Sequence, residues 1–121
     1  MAEKKVLVIG ASDNPSRYAF KAVNMLNDYG HDVYPLGIRK GSINGIQIDT
    51  DATSHDHVDT VTLYVSPTIQ DRWKDYIITT KPKRVIFNPG TENPEFEKTL
   101  QNNGIETEQA CTLVLLQLNQ F

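Results

Sequence analysis

The feature that most constrains this chain is Val6-Leu7-Val8-Ile9, a continuous β-branched and aliphatic run broken off at Gly10. Four apolar side chains in succession suit a strand buried on both faces, as in the middle of a parallel sheet. Asn14-Pro15 then reads as an N-cap with proline at the first helical position, where a missing N–H costs nothing. Ala19, Ala22, Val23 and Leu26 recur at helical spacing, and Gly30 follows as a stop. The segment is strand, glycine turn, helix.

The rest of the chain repeats this alternation. His31 to Leu36 reads as a strand closed by Pro35, Gly37 to Gly45 as a loop, and Ile46 to Thr50 as a short edge strand or an extended connection. Val61 to Val65 is the next strand. Ser66-Pro67 then repeats the cap-and-proline signal before one amphipathic helix marked by Ile69, Trp73, Tyr76 and Ile77. Arg84 to Phe87 is a strand, Asn88-Pro89-Gly90 a turn, and Pro94 to Asn103 a helix that Gly104 stops. A strand from Ile105 to Glu108 and a helix from Leu113 to Leu118 complete the chain. Strands alternating with helices imply right-handed parallel crossovers. The expected fold class is α/β, a three-layer Rossmann-like sandwich with a mostly parallel five-stranded sheet, in one domain over residues 1–121. Ligands of such sheets sit beyond the carboxyl ends of the strands, here Gly10, Leu36, Val65, Asn88 and the turn before Cys111.

Composition narrows the function classes. Hydrophobic residues at 39% and charged residues at 22% fit a folded domain, and a formal charge of −3 argues against general nucleic-acid binding. Cys111 is the single cysteine, so no intramolecular disulfide is expected. No apolar run approaches the ~20 residues of a membrane helix, and Met1 to Lys5 is charged and leads straight into a strand. The expected compartment is the cytoplasm.

The loop Gly10-Ala11-Ser12-Asp13-Asn14-Pro15-Ser16-Arg17 joins a buried strand to a helix N-terminus, where backbone N–H groups and the helix dipole favour an anion. Gly10 allows close backbone approach, Ser12 and Asn14 can donate hydrogen bonds, and Arg17 adds a charge-assisted contact. A capped turn with a surface arginine is the plainer alternative. The loop lacks a full G-x-G-x-x-G, and the second strand does not end in the acidic residue that accepts the ribose hydroxyls of NAD. Arg39 and Lys40 follow that strand instead, suiting a phosphate on the ribose, unless they are simply a solvated pair.

His55 and His57, among Asp51, Asp56 and Asp59, can be drawn as a metal pair, but a solvated loop is the better reading. Cys111 reads as a structural thiol rather than a nucleophile, since no histidine neighbours it. Trp73, Tyr76 and Ile77 read as core, with a homodimer patch as the alternative.

In order and spacing, several segments together resemble the stand-alone CoA-binding protein family, related to the CoA-binding domain of the succinyl-CoA synthetase α subunit. They are Val8-Ile9-Gly10-Ala11-Ser12 with Arg17, Val33-Tyr34-Pro35, Ile43-Asn44-Gly45, Val61 to Pro67, Asn88-Pro89-Gly90, Pro94-Glu95-Phe96-Glu97, Gly104-Ile105 and Ala110-Cys111. The resemblance implies that the Gly10 to Arg17 loop holds the CoA diphosphate and that Arg39 and Lys40 lie near the adenosine end. It also implies that Val65, Ser66 and Pro67 wall the site, and Ala11, Asn88 and Gly90 are further candidate cofactor-binding residues. The chain departs from the family at Pro35-Leu36-Gly37-Ile38, usually a proline-hydrophobic-asparagine-proline stretch, at Asn88-Pro89, usually a glutamine-containing turn, and at Gln109-Ala110, usually a basic pair. The expected function is non-catalytic binding of CoA or an acyl-CoA, as a carrier, a sensor or the regulatory partner of an enzyme. An NADP-binding oxidoreductase module and an interaction domain with a decayed nucleotide site are the alternatives.

Overall fold

The computed structural model describes residues 2–121. It is an α/β fold with a five-stranded, all-parallel sheet in the order β2-β1-β5-β6-β7. The strands are β1 (Lys5–Ile9), β2 (Asp32–Leu36), β5 (Thr60–Leu63), β6 (Arg84–Phe87) and β7 (Glu106–Gln109). Between β2 and β5 lies an antiparallel hairpin of β3 (Gly41–Ile43) and β4 (Ile46–Ile48). The helices are α1 (Tyr18–Asp28), α2 (Pro67–Gln70), α3 (Lys74–Thr80), α4 (Pro94–Asn102) and α5 (Thr112–Gln117). No helix among the described residues is long and apolar enough to cross a membrane.

The sheet divides the core in two. Leu7, Ile9, Val61, Leu63, Val85 and Phe87 pack on one face with Trp73, Ile77, Phe96 and Leu100, while Val6, Val8 and Ile86 pack on the other with Ala19, Val23, Leu26 and Leu116. This is why the central strands carry unbroken apolar runs rather than alternation. The edge strands β2 and β7 are more polar, and β7 (Glu-Thr-Glu-Gln) has no buried side chain, which blunts an edge that would otherwise pair with another chain. Pro35 sits within β2 without breaking the ladder. Asp32 N–H donates to Lys4 and Leu36 C=O accepts from Gly10, so alternation turns Pro35 to the free edge, where its C=O accepts from Asp49 N–H.

Three expectations change in detail. Asn14-Pro15 is not the cap of α1, because the helix begins at Tyr18 with Arg17 in the N-cap position. Asn14 instead closes a turn, its Oδ1 accepting from Ser16 N–H and its C=O from Arg17 N–H. The loop expected over Gly37 to Gly45 contains β3, and Asn44-Gly45, both at positive φ (48° and 83°), form the turn into β4. The helix expected from Ser66-Pro67 through Ile77 is two helices, joined by i→i+3 bonds from Arg72 N–H to Ile69 and from Trp73 N–H to Gln70. Ile69 consequently faces solvent, while Trp73 and Ile77 are core.

At the amino end of the sheet, His31 is buried against the Phe121 ring, and its Nδ1 accepts from Lys4 N–H. Burial, and secondarily the Lys4 charge, hold its pKa below the ordinary histidine value. The unfolded chain therefore binds this proton more readily, so stability falls as pH drops through about 6.5 toward the lowered folded value. The melting temperature should decline between pH 7 and pH 5. In His31→Asn, whose Oδ1 can replace Nδ1 as acceptor without titrating, that decline should be shallower.

Candidate functional site

The strand order places a topological switch between β1 and β5, the position where open α/β sheets hold their ligands. The Gly10 to Arg17 loop leaves β1 there, flanked by Leu36-Gly37 after β2 and by Tyr64 to Pro67 after β5. Gly10 has φ of 94°, and a Cβ on it would stand 2.7 Å from Val65 Cγ1 and 2.9 Å from the Tyr64 carbonyl group. A Cβ on Gly37 would stand 2.5 Å from the Ala11 carbonyl oxygen. The two glycines let three backbone segments close on one another.

This packing revises which groups face a ligand. The N–H groups of Gly10 and Ala11 both donate to the Leu36 carbonyl at 2.9 Å, so these residues position the loop with no free N–H to offer. Asn14 N–H is taken by Ser12 Oγ. The N–H groups without a partner among the described residues are those of Ser12, Asp13 and the first turn of α1, which Arg17 does not cap with its side chain. The Ser12 hydroxyl and the Asn14 amide accept within the loop and keep their own hydrogens to donate. Arg17 is exposed, with no ion pair among the described residues.

The remaining sequence-derived positions separate. Val65 is half-buried beside Gly10, and Ser66 and Pro67 stand exposed at the start of α2, forming the opposite wall. Arg39 and Lys40 are exposed after β2, but Lys40 lines a cleft of about 640 Å³ along the sheet's edge with Tyr34, Ile48, Asp49 and His55. Gly90 is an exposed turn residue at φ 91°. Asn88 is buried, and its side chain is spent internally. Nδ2 donates to Thr62 Oγ1 and the Leu63 carbonyl, and Oδ1 accepts from Thr112 N–H. Its geometry is that of a staple joining β5, β6 and α5, with no group left for a ligand.

Sequence reasoning missed Gln70. It is fully buried, and its amide donates to the carbonyls of Val65 and Thr91 while accepting from Asn93, so it fixes the wall after β5 to the loop after β6. Its position between Ile69 and Trp73 in a helical segment was the available signal. Also missed was a second cleft, about 240 Å³, at the end of β2, lined by Gly37, Ile38, Thr50, Ala52, Arg72 and Trp73. Exposed Tyr18, Ile38 and Ile69 lie on segments at this same carboxyl end.

The histidines are dispersed. His31 lies at the amino end of the sheet, His55 stacks on Tyr34 of edge strand β2 at 4.7 Å, and His57 is exposed. Cys111, half-buried, follows β7 where the chain turns back over the sheet, next to Thr112, which bonds Thr62 of β5 and Asn88. No group of three His, Cys, Asp or Glu residues suited to a metal occurs among the described residues.

The contacts separate two kinds of glycine. Gly10→Ala should cost about 2 kcal/mol or more, from strained φ plus collision with Val65 and Tyr64. Gly90→Ala, with open space around its Cβ, should cost only about 1 kcal/mol. Denaturant unfolding of the two variants gives the comparison. Asn88→Ala should destabilise by several kcal/mol, because three buried partners lose their bond.

Relatives agree with this architecture. A solved structure of an uncharacterized protein is 46% identical over 100% of both chains, with a TM-score of 0.98. A hypothetical protein from Pyrococcus horikoshii OT3 is 25% identical over 96% of this chain and 83% of that one, with a TM-score of 0.86. A dinucleotide-forming acetyl-coenzyme A synthetase from Ca. Korarchaeum cryptofilum shares the fold at 20% identity, across 88% of this chain and 25% of its own, with a TM-score of 0.71. No curated protein matches the chain significantly. The CoA binding domain family model matches residues 4–117, and the chain belongs to that family.

Proposed function

We propose that this chain binds CoA or an acyl-CoA across the crevice between the Gly10 to Arg17 loop and the Val65 to Pro67 wall, and catalyses no reaction of its own. The observation that carries the reading is the close packing of Gly10 against the end of β5 at the switch point, in a loop that leads to the uncapped N-terminus of α1, within a chain of this family. Ser12, Asn14, Arg17 and the free N–H groups of the first turn of α1 hold the diphosphate. Arg39 and the cleft at Ile38 and Trp73 lie toward the adenosine end, and Ser66 and Pro67 border the pantetheine arm. Asn88 supports the wall without touching the ligand.

The non-catalytic reading rests on dispersal. A thiol nucleophile needs a base within hydrogen-bond reach, and among the described residues Cys111 has no hydrogen bond to a histidine, His31 packing on Phe121 at the amino end of the sheet and His55 on Tyr34 of β2. The chain would then act as a carrier, a sensor or the regulatory partner of an enzyme, in the cytoplasm.

The test is a thermal-shift panel of CoA, acetyl-CoA, NAD and NADP. Ligand at a hundredfold excess over its dissociation constant adds about 2.7 kcal/mol, several degrees in melting temperature for a chain of this size. CoA and acetyl-CoA should raise the melting temperature, and Arg17→Ala should weaken CoA roughly tenfold to a hundredfold, the worth of a charge-assisted bond. Greater stabilisation by NADP would favour an oxidoreductase module, and no response to any nucleotide an interaction domain. Acyl-CoA turnover that disappears in Cys111→Ser would overturn the non-catalytic reading.

A further inference from the structure

We propose that Arg72, at the junction of α2 and α3, and not Lys40, is the residue that selects for a phosphate on the ligand's ribose. This inference rests on the CoA reading above and assigns its specificity.

In sheets of this type the ribose lies at the end of the second strand, where an acidic side chain accepts its hydroxyls or a nearby arginine accommodates a ribose phosphate. Here β2 ends at Leu36, and the cleft that opens next, at Gly37 and Ile38, has Arg72 in its wall. No residue lining that cleft is acidic. The carboxylate beside Arg72, Asp71, is engaged at 2.7 Å by Lys74, one turn on. Arg72 is exposed and makes no ion pair or side-chain hydrogen bond among the described residues, so its five donors are available. The adjoining wall is Trp73, buried but for 7% of its surface. A free guanidinium on a wall that holds no carboxylate suits an acceptor-rich anion.

Lys40 has the opposite surroundings. It lines the edge cleft, which contains the carboxylates of Asp49 and Asp51. The next residue, Gly41, lies against the Asp13 carboxylate, whose Oδ2 is 2.7 Å from where a Cβ on Gly41 would stand. That neighbourhood attracts the ammonium group and repels a phosphate. Lys40 thus belongs to the edge cleft, and the cation on the wall of the ribose cleft comes from a segment distant in sequence.

The experiment measures dissociation constants of CoA and of dephospho-CoA, identical but for the ribose phosphate, for the unmodified protein and for Arg72→Ala, Arg72→Gln and Lys40→Ala. The unmodified protein should prefer CoA about tenfold or more. Both Arg72 variants should bring the two ligands to near equality, chiefly by weakening CoA, whereas Lys40→Ala should keep the preference. Arg72 is exposed, and matching circular dichroism and melting curves establish that each variant is folded. The chain's single tryptophan gives a second readout, since the Trp73 indole resonance should move on binding CoA. A preference that survives in both Arg72 variants, or that vanishes in Lys40→Ala, overturns the inference while leaving CoA binding intact. An unmodified protein that binds both ligands equally also overturns it. If neither ligand binds, the CoA reading itself fails and the inference falls with it.

Discussion

One carbonyl oxygen organises the carboxyl end of this sheet. Leu36 C=O receives the N–H groups of both Gly10 and Ala11, so the chain leaving β1 is pulled across the end of β2 as it turns toward α1. Gly10 then lies against Tyr64 and Val65, and Gly37 lies against Ala11, at separations that a Cβ would prevent. The three loops around the switch point are therefore mutually dependent, and the start of α1 follows from their contact. A crevice built this way is held together by the chain's own contacts, and a ligand bound there would lose less entropy in ordering it.

The walls of the crevice are held from behind by buried amides. Gln70 joins the segment after β5 to the segments before α4, and Asn88 joins β5, β6 and α5 through Thr62 and Thr112. These networks explain threonines in a central strand that is otherwise wholly apolar. Thr62 answers Asn88 and Thr112, and Thr60 answers Asp59 and Arg84. A buried polar group costs little when every donor finds an acceptor, and a satisfied network fixes geometry more closely than apolar packing alone.

Strand and helix types, the parallel sheet and the position of the Gly10 to Arg17 loop at the end of a central strand were legible because continuous apolar runs and glycine or proline stops are local signals. What stayed hidden was pairing across the chain. Asn14-Pro15 carries the composition of a helix cap, yet Asn14 closes its own turn, its Oδ1 accepting from Ser16 N–H and its C=O from Arg17 N–H. Asn44-Gly45 between isoleucines was a readable hairpin signal that the surrounding polar stretch obscured. Asn88 sits in a turn of the resembling family but has its amide directed inward, and only the positions of Thr62 and Thr112 reveal that. Arg39 and Lys40 are adjacent in sequence, while the clefts assign Lys40 to the edge and bring Arg72 to the end of β2.

The central claim is that a CoA-type ligand enters at the switch point between β1 and β5, and amide chemical-shift mapping with CoA tests it most directly. The account predicts the largest changes at Ser12, Asp13, the first turn of α1 and Ser66, with a smaller response along the cleft at Ile38. Changes concentrated in the edge cleft, at Tyr34, Ile48 and His55, would contradict it.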